Sequence, residues 1–127
     1  MMKEIPRISE AEWEVMKVIW NQSPTTANDV IAVLSRNSDW KPTTIKSLIS
    51  RLLKKEAIGF HQEGKTYSYF PLVSEEECIK AESSSFLRRL YGGALKPMFV
   101  NFLKEEKLTE DEIEELKKML DERKGKS

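Results

Sequence analysis

Between Lys41 and Lys55 the chain reads KPTTIKSLISRLLKK, with five basic residues and no acid, in a protein whose formal charges cancel at 21 against 21. At the helical period Thr43, Lys46, Ser47, Ser50, Arg51 and Lys54 fall on one face, and Ile45, Leu48, Ile49, Leu52 and Leu53 fall on the other. A merely solvated face mixes Glu with Lys to gain pairs four residues apart. This face joins hydroxyls to cations instead, which is the inventory for bonding phosphate oxygens and base edges. Residues 41–69 hold six basic residues against two acidic ones. Salt limits each charge's reach to about 8 Å, so such a patch acts on a polyanion even in a neutral chain.

Other chemistry is poorly provided for. One histidine, His61, and one cysteine, Cys78, lie in different expected elements, so no nucleophile and base pair is at hand and no enzyme is expected. The same two residues make no ligand cluster, so neither metal nor cofactor is expected. Cys78 reads as a small core residue and His61 as an exposed strand residue. The acids of LTEDEIEELKKMLDE lie at a helix start, where they favour the dipole. No N-terminal apolar segment follows MMKEIPRISE, and no apolar run approaches the ~18 residues of a membrane span. A cytoplasmic protein without direct membrane insertion is the expectation.

The elements that must carry the basic face are legible around it. Ser9 and Glu12 have capping-box spacing, Ile8 and Trp13 that of a hydrophobic staple, and Trp13, Met16 and Trp20 share a face, so a helix is expected over Glu10–Asn21. TANDVIAVLSR predicts a second, capped by Thr26 with Asp29 in its first turn and Val30, Ile31 and Leu34 buried. Pro42 suits the first turn of the third. The period then changes: Gly59–Gln62 and Thr66–Phe70 read as a hairpin closed by Pro71, with Gly64 in the turn and Lys65 at the tip. Three helices and a hairpin, the third helix polar and basic, are the parts of a winged helix-turn-helix.

The rest is helical and built differently. A capping box at Ser74 and Glu77 opens a helix with Ile79, Phe86, Leu87 and Leu90 in a stripe, ended by Gly92 and Gly93. LKPMFVNFLKEEKL gives a short apolar helix centred on Met98 to Leu103. Thr109 and Glu112 cap a last helix with Ile113, Leu116, Met119 and Leu120 on one side, before ERKGKS frays into solvent. Three helices in so short a segment cannot enclose their own apolar faces, and a homodimer would bury them. The expected interface residues are Ile79, Phe86, Leu90, Met98, Phe99, Phe102, Leu103, Ile113, Leu116 and Leu120. The expected fold is mainly α with a small β-hairpin: a winged-helix DNA-binding domain over 1–72 and a helical dimerisation domain over 73–127.

ISEAEWEVMKVIW, WKPTTIKSLISRLLKK and GGALKPMFVNFL together resemble the BlaI/MecI penicillinase-repressor family, over a span from Ile8 to Leu120. The arrangement from Trp40 to Leu52, Trp-x-x-x-Thr-Ile-x-x-Leu-Ile-x-Arg-Leu, is specific. The resemblance implies a homodimeric bacterial repressor on an inverted-repeat, double-stranded DNA operator, dimerised through C-terminal helices. It also implies release when a membrane-bound, β-lactam-sensing zinc protease triggers cleavage at an Asn-Phe bond. Carried over, operator contacts fall on Thr44, Lys46, Ser47 and Arg51 with wing support near Lys65, and the cleaved bond joins Asn101 and Phe102. Family members with β-lactam roles usually carry Lys where this chain has Thr43. The copper-responsive branch carries a C-terminal Cys-x-Cys site, and no cysteine follows Cys78 here. Two other readings stand beside this one: a winged-helix regulator of another operon, for example a metal-responsive one, and a protein-interaction adaptor without DNA binding. An adaptor has no reason to keep acids off the third helix.

Overall fold

The computed structural model describes residues 4–125. In chain order it has α1 (Glu10–Asn21), β1 (Thr25–Thr26), α2 (Ala27–Asn37), α3 (Pro42–Lys54), β2 (Ile58–Glu63), β3 (Thr66–Pro71), α4 (Glu75–Tyr91), α5 (Leu95–Glu105) and α6 (Glu110–Gly125). The strands form one antiparallel sheet in the order β1-β3-β2. The chain divides into two compact units, Met1–Ser83 and Ser84–Ser127.

In the first unit the helix starts are fixed by local bonds. The Ser9 hydroxyl accepts from the Glu12 N–H and the Glu12 carboxylate accepts from the Ser9 N–H, a complete capping box; Thr26 and Asp29 repeat it on α2. Pro42 opens α3 as its first helical residue, behind Lys41, whose side chain makes no cap bond. The apolar stripes of α1, α2 and α3 then meet: Met16, Ile19, Val30, Ile45, Leu52 and Ile58 are buried in one cluster. Each such side chain contributes about 1.5 to 3 kcal/mol by leaving water. Trp20 stacks edge-on against Trp13 with ring centroids 5.6 Å apart, and its indole N–H donates to the Val73 carbonyl at 2.9 Å.

The hairpin extends beyond the expected one. Strand β2 begins at Ile58 and reaches Glu63, and Pro71 closes the hairpin as the last residue of β3, opposite Ile58. A proline is tolerated there because a terminal ladder position can lack a donor. Gly64, at φ +62°, makes the turn. The register pairs Gly59 with Phe70, whose ring lies 2.7 Å from where a Cβ on Gly59 would sit, so only glycine fits. Strand β1, at two residues too short to show a period in the sequence, adds Thr25 and Thr26 to the outer side of β3 opposite Tyr69 and Ser68.

Val73 and Cys78, each 2% exposed, belong to the first unit's core. The start of α4 is therefore part of that unit, and the boundary between the compact units lies after Ser83, later than the 72/73 division expected from sequence.

In the second unit the later turns of α4 end at Gly92 and Gly93, which adopt φ of +59° and +89° and return N–H bonds to Arg88 and Leu87. Glycine alone enters this region without penalty. Helix α5 lacks a side-chain cap, whereas α6 starts from a full Thr109 and Glu112 box. Helix α6 continues to Gly125, past the fraying expected from Glu122 onward; Lys126 and Ser127 lie outside the described residues. No helix among the described residues is long and apolar enough to cross a membrane.

Candidate nucleic-acid interface

Burial of one face of α3 dictates what the other face offers. Ile45, Leu48, Ile49 and Leu52 are at most 3% exposed, so the residues between them must point outward. Thr43, Thr44, Lys46, Ser47, Ser50, Arg51 and Lys54 are all exposed along its 13 residues. Such a helix is about 20 Å long at 1.5 Å per residue and fits a major groove about 12 Å wide. Lys65 is exposed beside the Gly64 turn. Among the described residues Lys46, Arg51, Lys54 and Lys65 take part in no ion pair or side-chain hydrogen bond, so their charges are uncommitted.

The last two cations of the opening stretch divide by role. Lys54 belongs to the exposed face, but Lys55 is drawn inward: its ammonium donates to the Glu12 carboxylate and to the Arg7 carbonyl, the latter at 2.8 Å. Glu12 is 1% exposed. Burial pushes its carboxyl up, yet the bonds from Lys55 and from the Ser9 N–H and hydroxyl outweigh that push, and the group sits below the usual carboxylate range. Lys55 thus fastens the end of α3 to α1 and is unavailable to a phosphate. Sequence spacing could not assign it, because Glu12 is 43 residues away.

The wing adds a feature that alternation alone did not single out. Phe60 and Tyr67 pack on each other at 5.4 Å between centroids and remain 50% and 42% exposed. On the opposite face His61 is exposed and stacks on Phe70 at 4.9 Å. Cys78 lies in the core as a small apolar residue, as its composition suggested.

The second unit holds the other sequence-predicted residues. Phe86, Met98 and Leu116 are half-buried, whereas Leu90, Phe99, Phe102, Leu103, Ile113 and Leu120 are exposed. Ile79, on the part of α4 assigned to the first unit, is also exposed. Asn101 is exposed, and its side-chain amide donates to the Tyr91 hydroxyl at 3.1 Å. An apolar cavity of about 210 Å³ opens between α5 and α6, lined by Phe99, Phe102, Leu103, Leu108 and Leu116 with Glu106 at its edge.

Three packed helices, a third helix with an exposed hydroxyl and cation face, and a two-stranded wing define a winged-helix DNA-binding regulator. Comparison with known proteins gives its family. The family model described as Penicillinase repressor matches residues 8–122, and the chain belongs to that family, which comprises transcriptional repressors and not enzymes. It is 46% identical over 125 residues to the penicillinase repressor of Bacillus licheniformis, covering 98% of each chain. It is 40% identical over 113 residues to the methicillin resistance regulatory protein MecI of Staphylococcus aureus strain N315, covering 89% of this chain and 92% of that one. The solution structure of the Bacillus licheniformis BlaI monomeric form in complex with the blaP half-operator is similar at 49% identity and a TM-score of 0.53, covering 60% of this chain and 93% of that one.

Proposed function

We propose that this chain is a homodimeric repressor that lays α3 into the major groove of each half of an inverted-repeat operator controlling β-lactam-resistance genes. The observation that carries this reading is the exposed, acid-free face of α3 with its uncommitted cations. Arg51 would bond a guanine edge, Thr43, Thr44, Lys46, Ser47, Ser50 and Lys54 would bond phosphates and neighbouring edges, and Lys65 would reach the backbone from the wing. The half-operator complex of the BlaI relative supports the choice of duplex DNA as partner. Functionally the chain divides into a DNA-binding part, 1–72, and a dimerisation part, 73–127, whose exposed apolar residues supply the contact. Such a dimer links two heads, each binding weakly alone, and gains affinity from the link. Release follows from proteolysis between Asn101 and Phe102, in the cytoplasm and under a membrane-bound sensor protease. The cut severs α6 and most of the second unit's apolar surface from the DNA-binding part.

The test uses the blaP half-operator duplex and a scrambled duplex of equal length. Arg51→Ala should lose about 5-fold to 150-fold affinity on the first and much less on the second, as expected of a bidentate base contact. Equal losses on both would make Arg51 a phosphate clamp, and no loss on either would refute the assigned face.

A further inference from the structure

Both residues that flank one peptide bond of α5 are held from the last turns of α4. The Asn101 amide donates to the Tyr91 hydroxyl at 3.1 Å. The next ring along, Phe102, stacks on Phe86 with centroids 6.2 Å apart and planes 17° apart. Phe86 in turn meets Tyr91 at 6.1 Å, so the two α4 side chains form one continuous grip. Successive side chains on a helix point about 100° apart, so one neighbouring helix can hold both only where they straddle the line of contact.

The grip acts on a short helix. Helix α5 spans 11 residues and has no side-chain cap at Ala94. Isolated helices shorter than about 12 to 15 residues are marginal in water, so its helicity depends on tertiary contacts. On the single chain Asn101 is exposed and Phe102 is 42% exposed. Cleavage there also meets a conformational barrier. A protease takes its substrate extended, and opening α5 at this bond breaks backbone bonds such as that from the Glu106 N–H to the Phe102 carbonyl at 2.8 Å, together with the grip from α4.

We infer that Phe86 and Tyr91 form a latch that sets how often the Asn101–Phe102 bond opens to a protease, so the rate of cleavage is regulated from α4. This inference rests on the release reading given above and adds the positioning residues that govern it.

Thermolysin, which cuts on the amino side of large apolar residues, is a probe that accepts this bond. The full-length protein is digested at low enzyme, where the rate follows the population of the open form. Intact mass gives the initial rate of appearance of fragment 1–101, divided by the rate of cleavage before Leu116 in α6 in the same sample. Tyr91→Phe keeps the ring and removes the hydroxyl, and should raise this ratio about 3-fold to 10-fold, the range expected for one hydrogen bond. In an Asn101→Ala background the same change should leave the ratio unaltered. Phe86→Leu should raise it by about 2-fold to 10-fold through loss of the stack. An unchanged ratio in Tyr91→Phe, or equal acceleration at both sites, overturns the latch. The release reading is judged by a different measurement, the operator affinity of the cut protein, so each can fail without the other.

Discussion

Helices α3 and α5 carry comparable amphipathic sequences and end in different states. On α3 the apolar stripe is closed off almost completely, with Ile45 and Leu52 at 0% exposure, because α1, α2 and β2 of the same chain meet it. On α5 the corresponding residues Phe99, Phe102 and Leu103 stay 38% to 46% exposed. The difference teaches that an apolar stripe specifies the need for a cover and leaves the source of the cover open. Residues Met1–Ser83 contain enough elements to supply it internally, while Ser84–Ser127 contain too few. Contiguous exposed apolar surface of this kind marks an interaction site, and a second copy is the occupant that the proposed function assigns.

The largest effect expected from breaking this contrast is on operator binding. Truncation after Ser83, which retains Val73, Cys78 and the Trp20 to Val73 bond, should leave a folded monomer. Its affinity for a duplex with two half-sites should fall about 10²-fold to 10⁴-fold, because linkage between heads is lost. Light scattering with a binding titration checks both parts. A full-length protein that is monomeric at micromolar concentration would remove the reason for the contrast.

Next in size are paired core truncations. Ile45→Ala should cost about 2 to 5 kcal/mol of unfolding free energy at any protein concentration, since its cover is intramolecular. Leu120→Ala, at a residue 58% exposed on the single chain, should cost under about 0.5 kcal/mol where the protein is monomeric and more where copies associate. Urea unfolding at two protein concentrations separates the cases. A concentration-independent loss at Leu120 would contradict the assignment of its cover to a second copy.

The smallest effect sharpens the account of the first unit. Lys55→Met leaves the buried Glu12 carboxylate without its cation and should cost about 2 to 3 kcal/mol at pH 7, below the usual figure for a fully buried pair because Lys55 is itself 35% exposed. The pH dependence should weaken. In the native protein Glu12 is held below its unfolded value, so its contribution is present above that value and is lost as pH falls through the folded pKa. Without Lys55, burial is opposed only by the bonds from Ser9, so less of this stability is left to lose as pH falls. Thermal melts from pH 3 to pH 8 should show the two profiles converging in acid, and parallel profiles would mean that Lys55 does not control Glu12.

By itself, the sequence determined where helices begin and which face of α3 is polar. The boxes at Ser9, Thr26, Ser74 and Thr109 each join residues three apart, so the bonds that form are visible as spacing. The face of α3 is legible for the same reason, since a helix places residues i, i+3 and i+4 together whatever surrounds it. Tertiary structure alone decided that Thr25 and Thr26 pair with β3, that Lys55 turns from the basic face to Glu12, and that Trp20 bonds Val73, 53 residues on. It also decided that Tyr91 meets Asn101. In each of these cases the partner lies at a separation unrelated to any helical or strand period, and only closure of the chain on itself brings donor and acceptor within reach.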